Sequence, residues 1–170
     1  MTEENTVNIE YALQRTDDAL QAAAIAKETI QEVYPRYYPE GAVEFFLNLH
    51  SADNIRSAME TEEVYLLTAD GQAVGTGTIR GDEICRLFVL PGYQGQGYGT
   101  MIMDALEERI FEQYGAVRVD ASFPAEDMYI KRGYRFCSYD KIITDNGDYL
   151  CYHTMEKTKK SLWKCVRLTG

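Results

Sequence analysis

Hydrophobic positions in the first sixty residues recur mainly with a helical period. Asn8–Arg15 alternates loosely between polar and apolar residues and is typical of a strand. Residues 16–18 (Thr-Asp-Asp) then supply an N-cap and acidic first-turn residues for a helix that extends to about Val33. After an aromatic, proline-containing turn, the helical period resumes over Ala42–Met59. The pattern predicts two helical regions here, the second interrupted near Ser51.

The period then changes to that of β-strands. Short apolar runs at Glu63–Thr68, Ala73–Ile79 and Glu83–Val89 are separated by turns that contain glycine and aspartate. Three short strands joined by tight turns predict an antiparallel meander.

The second half of the chain alternates helices with strands. Apolar residues recur every four positions from Ile102 to Tyr114, which predicts an amphipathic helix that begins at Gly99 or Thr100. We expect a further strand, a short helix and a closing hairpin at Ala116–Ala121, Pro124–Arg132, Tyr134–Tyr139 and Tyr149–Glu156. The order β-α-α-β-β-β-α-β-α-β-β predicts an α/β fold with a mixed sheet and helices on both faces.

Composition and charge narrow the class of protein. The formal net charge of -10 argues against a nucleic-acid partner, which would need a basic face. It suits a cationic substrate, although a solvated acidic surface explains the charge equally well. No apolar run is long enough to span a membrane, and the N-terminus is acidic where a signal peptide would be basic. We therefore expect a cytoplasmic protein that does not bind membranes.

Cysteine and histidine usage gives no sign of a metal site. The four cysteines include no Cys-x-x-Cys pair, and the two histidines, His50 and His153, lie far apart in the sequence. We expect free thiols in a reducing compartment and no bound metal.

The segment LFVLPGYQGQGYGT, residues 87–100, stands between a predicted strand and a predicted helix. It contains four glycines from Gly92 to Gly99. The first N–H groups of a helix lack internal partners and attract anions, and glycine lets the backbone approach them closely. No lysine follows as in a P-loop, and the glycines do not have the spacing of a dinucleotide fingerprint. A flexible turn and a phosphate cradle both remain open from these residues alone.

The run Gln94-Gly95-Gln96-Gly97-Tyr98-Gly99 resembles the pyrophosphate loop Q/R-x-x-G-x-G/A of the GNAT acetyltransferase superfamily. The resemblance covers residues 62–156, whereas the first sixty residues match in layout only. It implies one domain over residues 1–156, with a basic tail of unknown role at 157–170. It also implies a mostly antiparallel sheet of about seven strands that is splayed between strands four and five.

The same resemblance assigns a coenzyme site, with acetyl-CoA as cosubstrate. Leu87 and Phe88 would contact the pantetheine arm, and the N–H of Val89 would polarise the thioester carbonyl. Ser122 would contact the coenzyme where the family usually has asparagine. The pyrophosphate would lie against the backbone amides of Gln94, Gly95, Gln96, Gly97, Tyr98, Gly99 and Thr100.

Two catalytic candidates follow from the resemblance. Glu83 begins the strand that ends at Val89, where histone-type relatives place a catalytic glutamate, so it is the first candidate for the base. Asp120 and Glu126 are alternatives, and an ordinary charged residue at a strand end is another. Tyr129 matches a family tyrosine and would protonate the leaving thiolate, unless it is only a packed core residue.

The implied activity is transfer of an acetyl group to a primary amine by direct attack. The acceptor, a small amine or a peptide amine, is left open, and dimerisation is common in the family. A non-catalytic acyl-CoA-binding module would use the same loop, and a nucleotide-binding domain is a third reading. At least one of Tyr34, Tyr37 and Tyr38 is expected to line the acceptor pocket.

Overall fold

The computed structural model describes residues 10–159. Along them lie seven strands and five α-helices, linked in places by single 3-10 turns. The elements are β1 Tyr11–Arg15, α1 Ala19–Val33, α2 Glu40–Leu49, α3 Ala52–Ala58, β2 Glu63–Ala69, β3 Gln72–Arg80, β4 Glu83–Val89, α4 Tyr98–Gln113, β5 Ala116–Ala121, α5 Glu126–Lys131, β6 Arg135–Ile143 and β7 Tyr149–Thr158. The 3-10 turns are at Tyr34–Arg36, Pro91–Tyr93 and Phe123–Ala125.

Local sequence signals set several of these boundaries. The Asp18 carboxylate accepts a hydrogen bond from the Gln21 N–H at 2.9 Å and caps α1. Ser51 caps α3 in the same way, which explains the interruption of the second helical region. The last strand continues to Thr158, two residues beyond the predicted end. Residues 8 and 9 of the predicted first strand, and the predicted tail from residue 160, lie outside the described residues.

The seven strands form one mixed sheet in the order β1-β2-β3-β4-β5-β7-β6. All neighbouring pairs are antiparallel except β4 and β5, which are parallel. The register of that parallel pair contains a single residue pair, Glu83 with Arg118. The predicted fold is confirmed, including the splay between strands four and five.

The sheet has a hydrophobic core on each face. Successive residues of β2 alternate between the cores, with Tyr65 and Leu67 in one and Val64 and Leu66 in the other. The first core is filled mainly from α4 and the second from α1, α2 and α3.

Helix α4 packs closely on β3 because β3 carries glycines beneath it. A Cβ at Gly77 would lie 2.8 Å from side-chain atoms of both Ile102 and Leu106. A Cβ at Gly75 would lie 2.8 Å from Ile102 Cδ1. The glycines therefore allow the first turns of α4 to lie close to the sheet. The position of these turns also sets the position of the loop that precedes the helix.

Candidate functional site

Two cavities open where β4 and β5 diverge. The loop cavity, about 420 Å³, lies beside the glycine segment, with Thr29, Arg36, Val89, Gln94 and Gly95 in its wall. The inner cavity, about 200 Å³, lies further along β4 and includes Phe45, His50, Glu83, Asp120 and Tyr129. The two walls share Tyr34, Leu87, Phe88, Ser122 and Ala125. These shared residues mark the place where molecules in the two cavities would meet.

Val89, at the end of β4, directs its backbone groups into the gap between the strands. The Leu90 N–H donates to the Val74 carbonyl at 2.9 Å, and Val89 lies opposite Gly75 in the register. Antiparallel pairs alternate between hydrogen-bonded and non-hydrogen-bonded, so the pair Val89–Gly75 is of the second kind. The Val89 N–H therefore points away from β3, towards the side on which β5 has separated.

The loop that follows β4 leaves consecutive backbone donors free. Within the described chain, none of the N–H groups of residues 95–100 donates a hydrogen bond to another residue. The first intrahelical bond runs from Met101 N–H to the Gly97 carbonyl at 3.0 Å. Gly97 has φ +90 and Gly95 has φ +74, a left-handed backbone that glycine adopts without a steric penalty. A concave run of free N–H groups at a helix N-terminus is suited to phosphate oxygens.

Some of the residues predicted to bind the coenzyme line the loop cavity, and others do not. Those in the wall of the loop cavity are Leu87, Phe88, Val89, Gln94, Gly95, Gly99 and Ser122. Gln96, Gly97, Tyr98 and Thr100 do not line it. The Tyr98 ring is 6% exposed and packs in the core on the α4 side, so only its backbone can face a ligand.

A bulge in β4 changes which residues share a face. Thr76 lies opposite Phe88 and Thr78 opposite Cys85, so two residues of β4 face one residue of β3. Arg86 lies in this bulge with φ +53, which is rare for a residue with a side chain. Counting by twos from Glu83 to Val89 therefore does not hold across Arg86.

Arg86 is held by a buried carboxylate. Its guanidinium forms an ion pair with Glu62, and the side chains of Arg86 and Glu62 are 11% and 7% exposed. A buried charge is tolerated when it is paired, so each residue makes the burial of the other possible. Arg86 lines the inner cavity, but its position in a bulge cannot be read from its sequence neighbours.

Both predicted catalytic residues line the inner cavity. The Glu83 carboxylate accepts a hydrogen bond from Arg80 Nη2 at 2.7 Å, and its side chain is 14% exposed. Tyr129 is buried, and that burial raises the pKa of its hydroxyl, which keeps the phenol protonated. Of the alternative bases, Asp120 lines the same cavity, while Glu126 is bonded to His153 and lines neither cavity.

Two hydroxyls meet where the cavities join. Tyr34 Oη and Ser122 Oγ lie 3.1 Å apart, and burial raises the pKa of Tyr34 to about 12. Of the three tyrosines considered from the sequence, Tyr34 lines both cavities and Tyr37 lines the loop cavity. Tyr38 is buried and donates to the Cys151 carbonyl at 3.1 Å.

Cys85 and His50 are also in the wall of the inner cavity. Burial raises the pKa of the Cys85 thiol to about 12, so the thiol remains protonated and is a poor nucleophile. Burial, with a contribution from the charge of Arg86, lowers the pKa of His50 to about 3. The imidazole is therefore neutral, and its Nδ1 is buried without a hydrogen-bond partner among the described residues.

Sequence reasoning missed five residues of the two cavities or their surroundings: Thr29, Arg36, His50, Glu62 and Arg86. Thr29 is in a helix with ordinary amphipathic spacing, and Glu62 precedes a strand that resembles many others. No local signal marks them. Arg36 is the exception, because a basic residue in the aromatic turn Tyr34-Pro35-Arg36-Tyr37 could have been considered as a phosphate contact.

No three His, Cys, Asp or Glu side chains come close enough together to hold a metal ion over residues 10–159. In the same part of the chain, no helix has the length and apolar character needed to cross a membrane.

A family model, that of the GNAT acetyltransferase domain, matches residues 33–159. The chain belongs to this family, as its loop and splayed sheet indicate. No curated protein sequence gives a significant match.

Solved structures with the same fold agree with this assignment. A GCN5-related N-acetyltransferase from Rhodopseudomonas palustris is 28% identical, with a TM-score of 0.80 over 87% of this chain and 95% of its own. PaiA N-acetyltransferase from Thermoplasma acidophilum, in complex with coenzyme A, is 18% identical, with a TM-score of 0.67 over 90% and 100% of the two chains. The ribosomal-protein-S18-alanine N-acetyltransferase of Escherichia coli is 16% identical, with a TM-score of 0.63 over 92% and 99%.

Proposed function

We propose that this protein transfers an acetyl group from acetyl-CoA to a primary amine, by direct attack while both substrates are bound. The observation that carries the proposal is the Val89 N–H directed into the gap between β4 and β5, next to the free N–H groups of residues 95–100. The Val89 N–H would face the thioester carbonyl of a bound cosubstrate. The N–H groups of residues 95–100 would face its diphosphate. A cosubstrate that has a thioester at one end and a pyrophosphate further along fits both.

The loop cavity would hold the coenzyme. The backbone N–H groups of residues 95–100 would bind the pyrophosphate, with Arg36 as a nearby cation in the wall of the cavity. The pantetheine arm would follow Leu87 and Phe88 along the edge of β4 that faces the gap, and the hydroxyl pair of Tyr34 and Ser122 would lie beside its end. Acetyl-CoA supplies the acetyl group as an activated thioester.

The inner cavity would hold the amine. Glu83, through a water molecule, would accept the proton that the ammonium group must lose before its nitrogen can attack. The Val89 N–H would stabilise the negative charge that develops on the carbonyl oxygen as the C–N bond forms. As the C–S bond breaks, Tyr129 would donate its proton to the departing sulfur. Its raised pKa keeps that proton available at neutral pH.

A cytoplasmic location is part of the proposal, and the state of the thiols supports it. Cys85, Cys137 and Cys151 are all free cysteines. Free thiols are the rule in a reducing compartment, which supports a cytoplasmic location.

Ligand protection and product analysis test this proposal. Coenzyme A and acetyl-CoA should raise the melting temperature, because a ligand that binds only the folded state stabilises it, whereas ATP and NAD should not. Mass spectrometry should then find one added acetyl group on an amine in a mixed panel. Protection by nucleotides alone would point to the nucleotide-binding reading, and protection by CoA without any acetylated amine would point to the binding module.

A further inference from the structure

The inner cavity combines apolar walls with an unusual set of charges. Phe45, Phe46, Leu49, Ile142 and Leu150 supply much of its surface. Its volume of about 200 Å³ is smaller than the roughly 300–1,000 Å³ of common drug-sized pockets. A compact apolar group would fill it.

Both arginines of this cavity already have partners. Glu62 forms ion pairs with both, and is 3.7 Å from Arg80 Nη1. Arg80 also binds Glu83 at 2.7 Å. The Arg86–Glu62 pair is the more buried of these, so an incoming anion would have to displace Glu62 from a site with little access to water.

The carboxylates outnumber the guanidinium groups. Glu62 and Glu83 pair with the two arginines. Asp120 is in the same cavity wall without an arginine partner, and its carboxylate accepts a hydrogen bond from the Thr154 hydroxyl at 2.9 Å. His50, which is also in the wall, adds no positive charge, because burial lowers its pKa to about 3. Among these five carboxylate and guanidinium groups, the negative charge of the exposed Asp120 has no cationic partner, which favours a cation and opposes an anion.

We propose that the acceptor is a compact primary amine with an apolar body and no carboxylate, and that Glu62 determines this specificity by occupying Arg86. The inference rests on the proposed function, since it names the substrate class of the same site. An amino acid would bring a carboxylate next to Glu83 and Asp120, and the buried guanidinium of Arg86, which could have bound it, is already paired with Glu62. Rejection of this kind is specificity achieved by an unfavourable contact with the wrong substrate.

Three compounds with one skeleton test the proposal: 2-phenylethylamine, phenylalaninamide and phenylalanine. They share the amine and the phenyl group, and differ in having no carbonyl, a neutral carbonyl or a carboxylate. Release of CoA thiol gives kcat/KM for each. We expect 2-phenylethylamine and phenylalaninamide to agree within about threefold, and phenylalanine to be at least about tenfold poorer.

Glu62→Gln is the decisive variant, since it keeps the shape of the side chain and frees the charge of Arg86. The ratio of kcat/KM for phenylalanine to that for 2-phenylethylamine should rise at least about fivefold. Glu63→Gln is the matched control. Glu63 is the next residue and also a carboxylate, but it lies beside Arg15 at 3.4 Å and lines a separate cavity away from β4. In Glu63→Gln the ratio should stay at the wild-type value.

If the wild-type protein uses phenylalanine as well as it uses 2-phenylethylamine, the proposal is overturned. This test does not depend on the folding of any variant. An unchanged ratio in a folded Glu62→Gln protein overturns the role of Glu62. Titration of the same compounds into the CoA-saturated protein measures selectivity without turnover. If none is acetylated but the amines bind and phenylalanine does not, the proposed function fails while the inferred specificity stands. If phenylalanine binds as tightly as the amines, the specificity fails.

Discussion

The side-chain amide of Gln94 donates a hydrogen bond to the carbonyl oxygen of Val89 at 2.9 Å. The Thr29 hydroxyl lies 3.2 Å from the same oxygen, but its single proton has a shorter acceptor in the Ile25 carbonyl at 2.8 Å. In an extended strand the N–H and C=O of one residue point to the same side, so fixing the carbonyl also fixes the direction of the Val89 N–H. Gln94 thereby links the glycine loop, through its side chain, to the backbone donor that would polarise the thioester.

Gln94→Ala should therefore impair the reaction more than it impairs coenzyme binding. Loss of one such hydrogen bond is worth about 1 kcal/mol, so kcat should fall about fivefold. Steady-state kinetics with acetyl-CoA at saturation measure it. Gln21→Ala, on the exposed side of α1, is the control and should keep wild-type kinetics. A normal kcat in Gln94→Ala would show that the Val89 peptide does not depend on this bond.

Gly97→Ala and Gly71→Ala separate backbone strain from ligand contact. Gly97 has φ +90 and Gly71 has φ +78, and a Cβ at either position would meet nothing within 4 Å. Both changes should cost about 1 kcal/mol of folding free energy, or about 3 °C in melting temperature. Only Gly97→Ala should also weaken acetyl-CoA binding in isothermal titration. Equal coenzyme affinity in the two variants would contradict the assignment of the loop.

Tyr129→Phe should lower kcat at least about tenfold and leave coenzyme affinity nearly unchanged, because the proton is needed only as the sulfur departs. The raised pKa of Tyr129 means that the phenol stays protonated above pH 10, so no loss of rate below that pH should come from its ionisation. Tyr134→Phe is the control. Tyr134 is buried beside Tyr129 but donates to Glu107 at 3.0 Å and lines neither cavity. Equal rates in both variants would remove the acid role.

His50 should make the fold sensitive to mild acid. Its folded pKa of about 3 is below the unfolded value near 6.5, so between these pH values the unfolded state binds the extra proton. Stability therefore falls as pH decreases below 6.5, by about 2 kcal/mol at pH 5. His50→Phe, which keeps a ring against Phe46 and Phe88, should reduce the loss of melting temperature between pH 7 and pH 5 by about 5 °C. An identical loss in both proteins would show that His50 is accessible to protons in the folded state.

Local signals predicted much of the fold. The strands Glu83–Val89 and Ala116–Ala121 have the bounds that their apolar runs suggest, and Ser51 divides α2 from α3 because it caps the latter. The glycines between a predicted strand and a predicted helix indicated where the candidate phosphate-binding loop lies. These features depend on neighbouring residues, which a sequence displays directly.

The inner cavity could not be predicted, because it is formed by contacts between residues far apart in the sequence. Arg86 pairs with Glu62 across 24 positions and Tyr34 meets Ser122 across 88. Arg86 adopts φ +53 although it has a side chain, so no residue preference would have placed a bulge there. Tertiary packing determines these positions, and for that reason the sequence alone did not indicate an acceptor.

The most direct test of the central claim is the rate of CoA thiol release from acetyl-CoA with and without an amine. We expect 2-phenylethylamine to raise that rate at least about 100-fold over the hydrolysis seen without an amine, because the bound nitrogen is held beside the thioester. The contradicting result is a rate of CoA thiol release that no amine in a broad panel increases, although the protein binds acetyl-CoA. It would show that this protein is not an N-acetyltransferase.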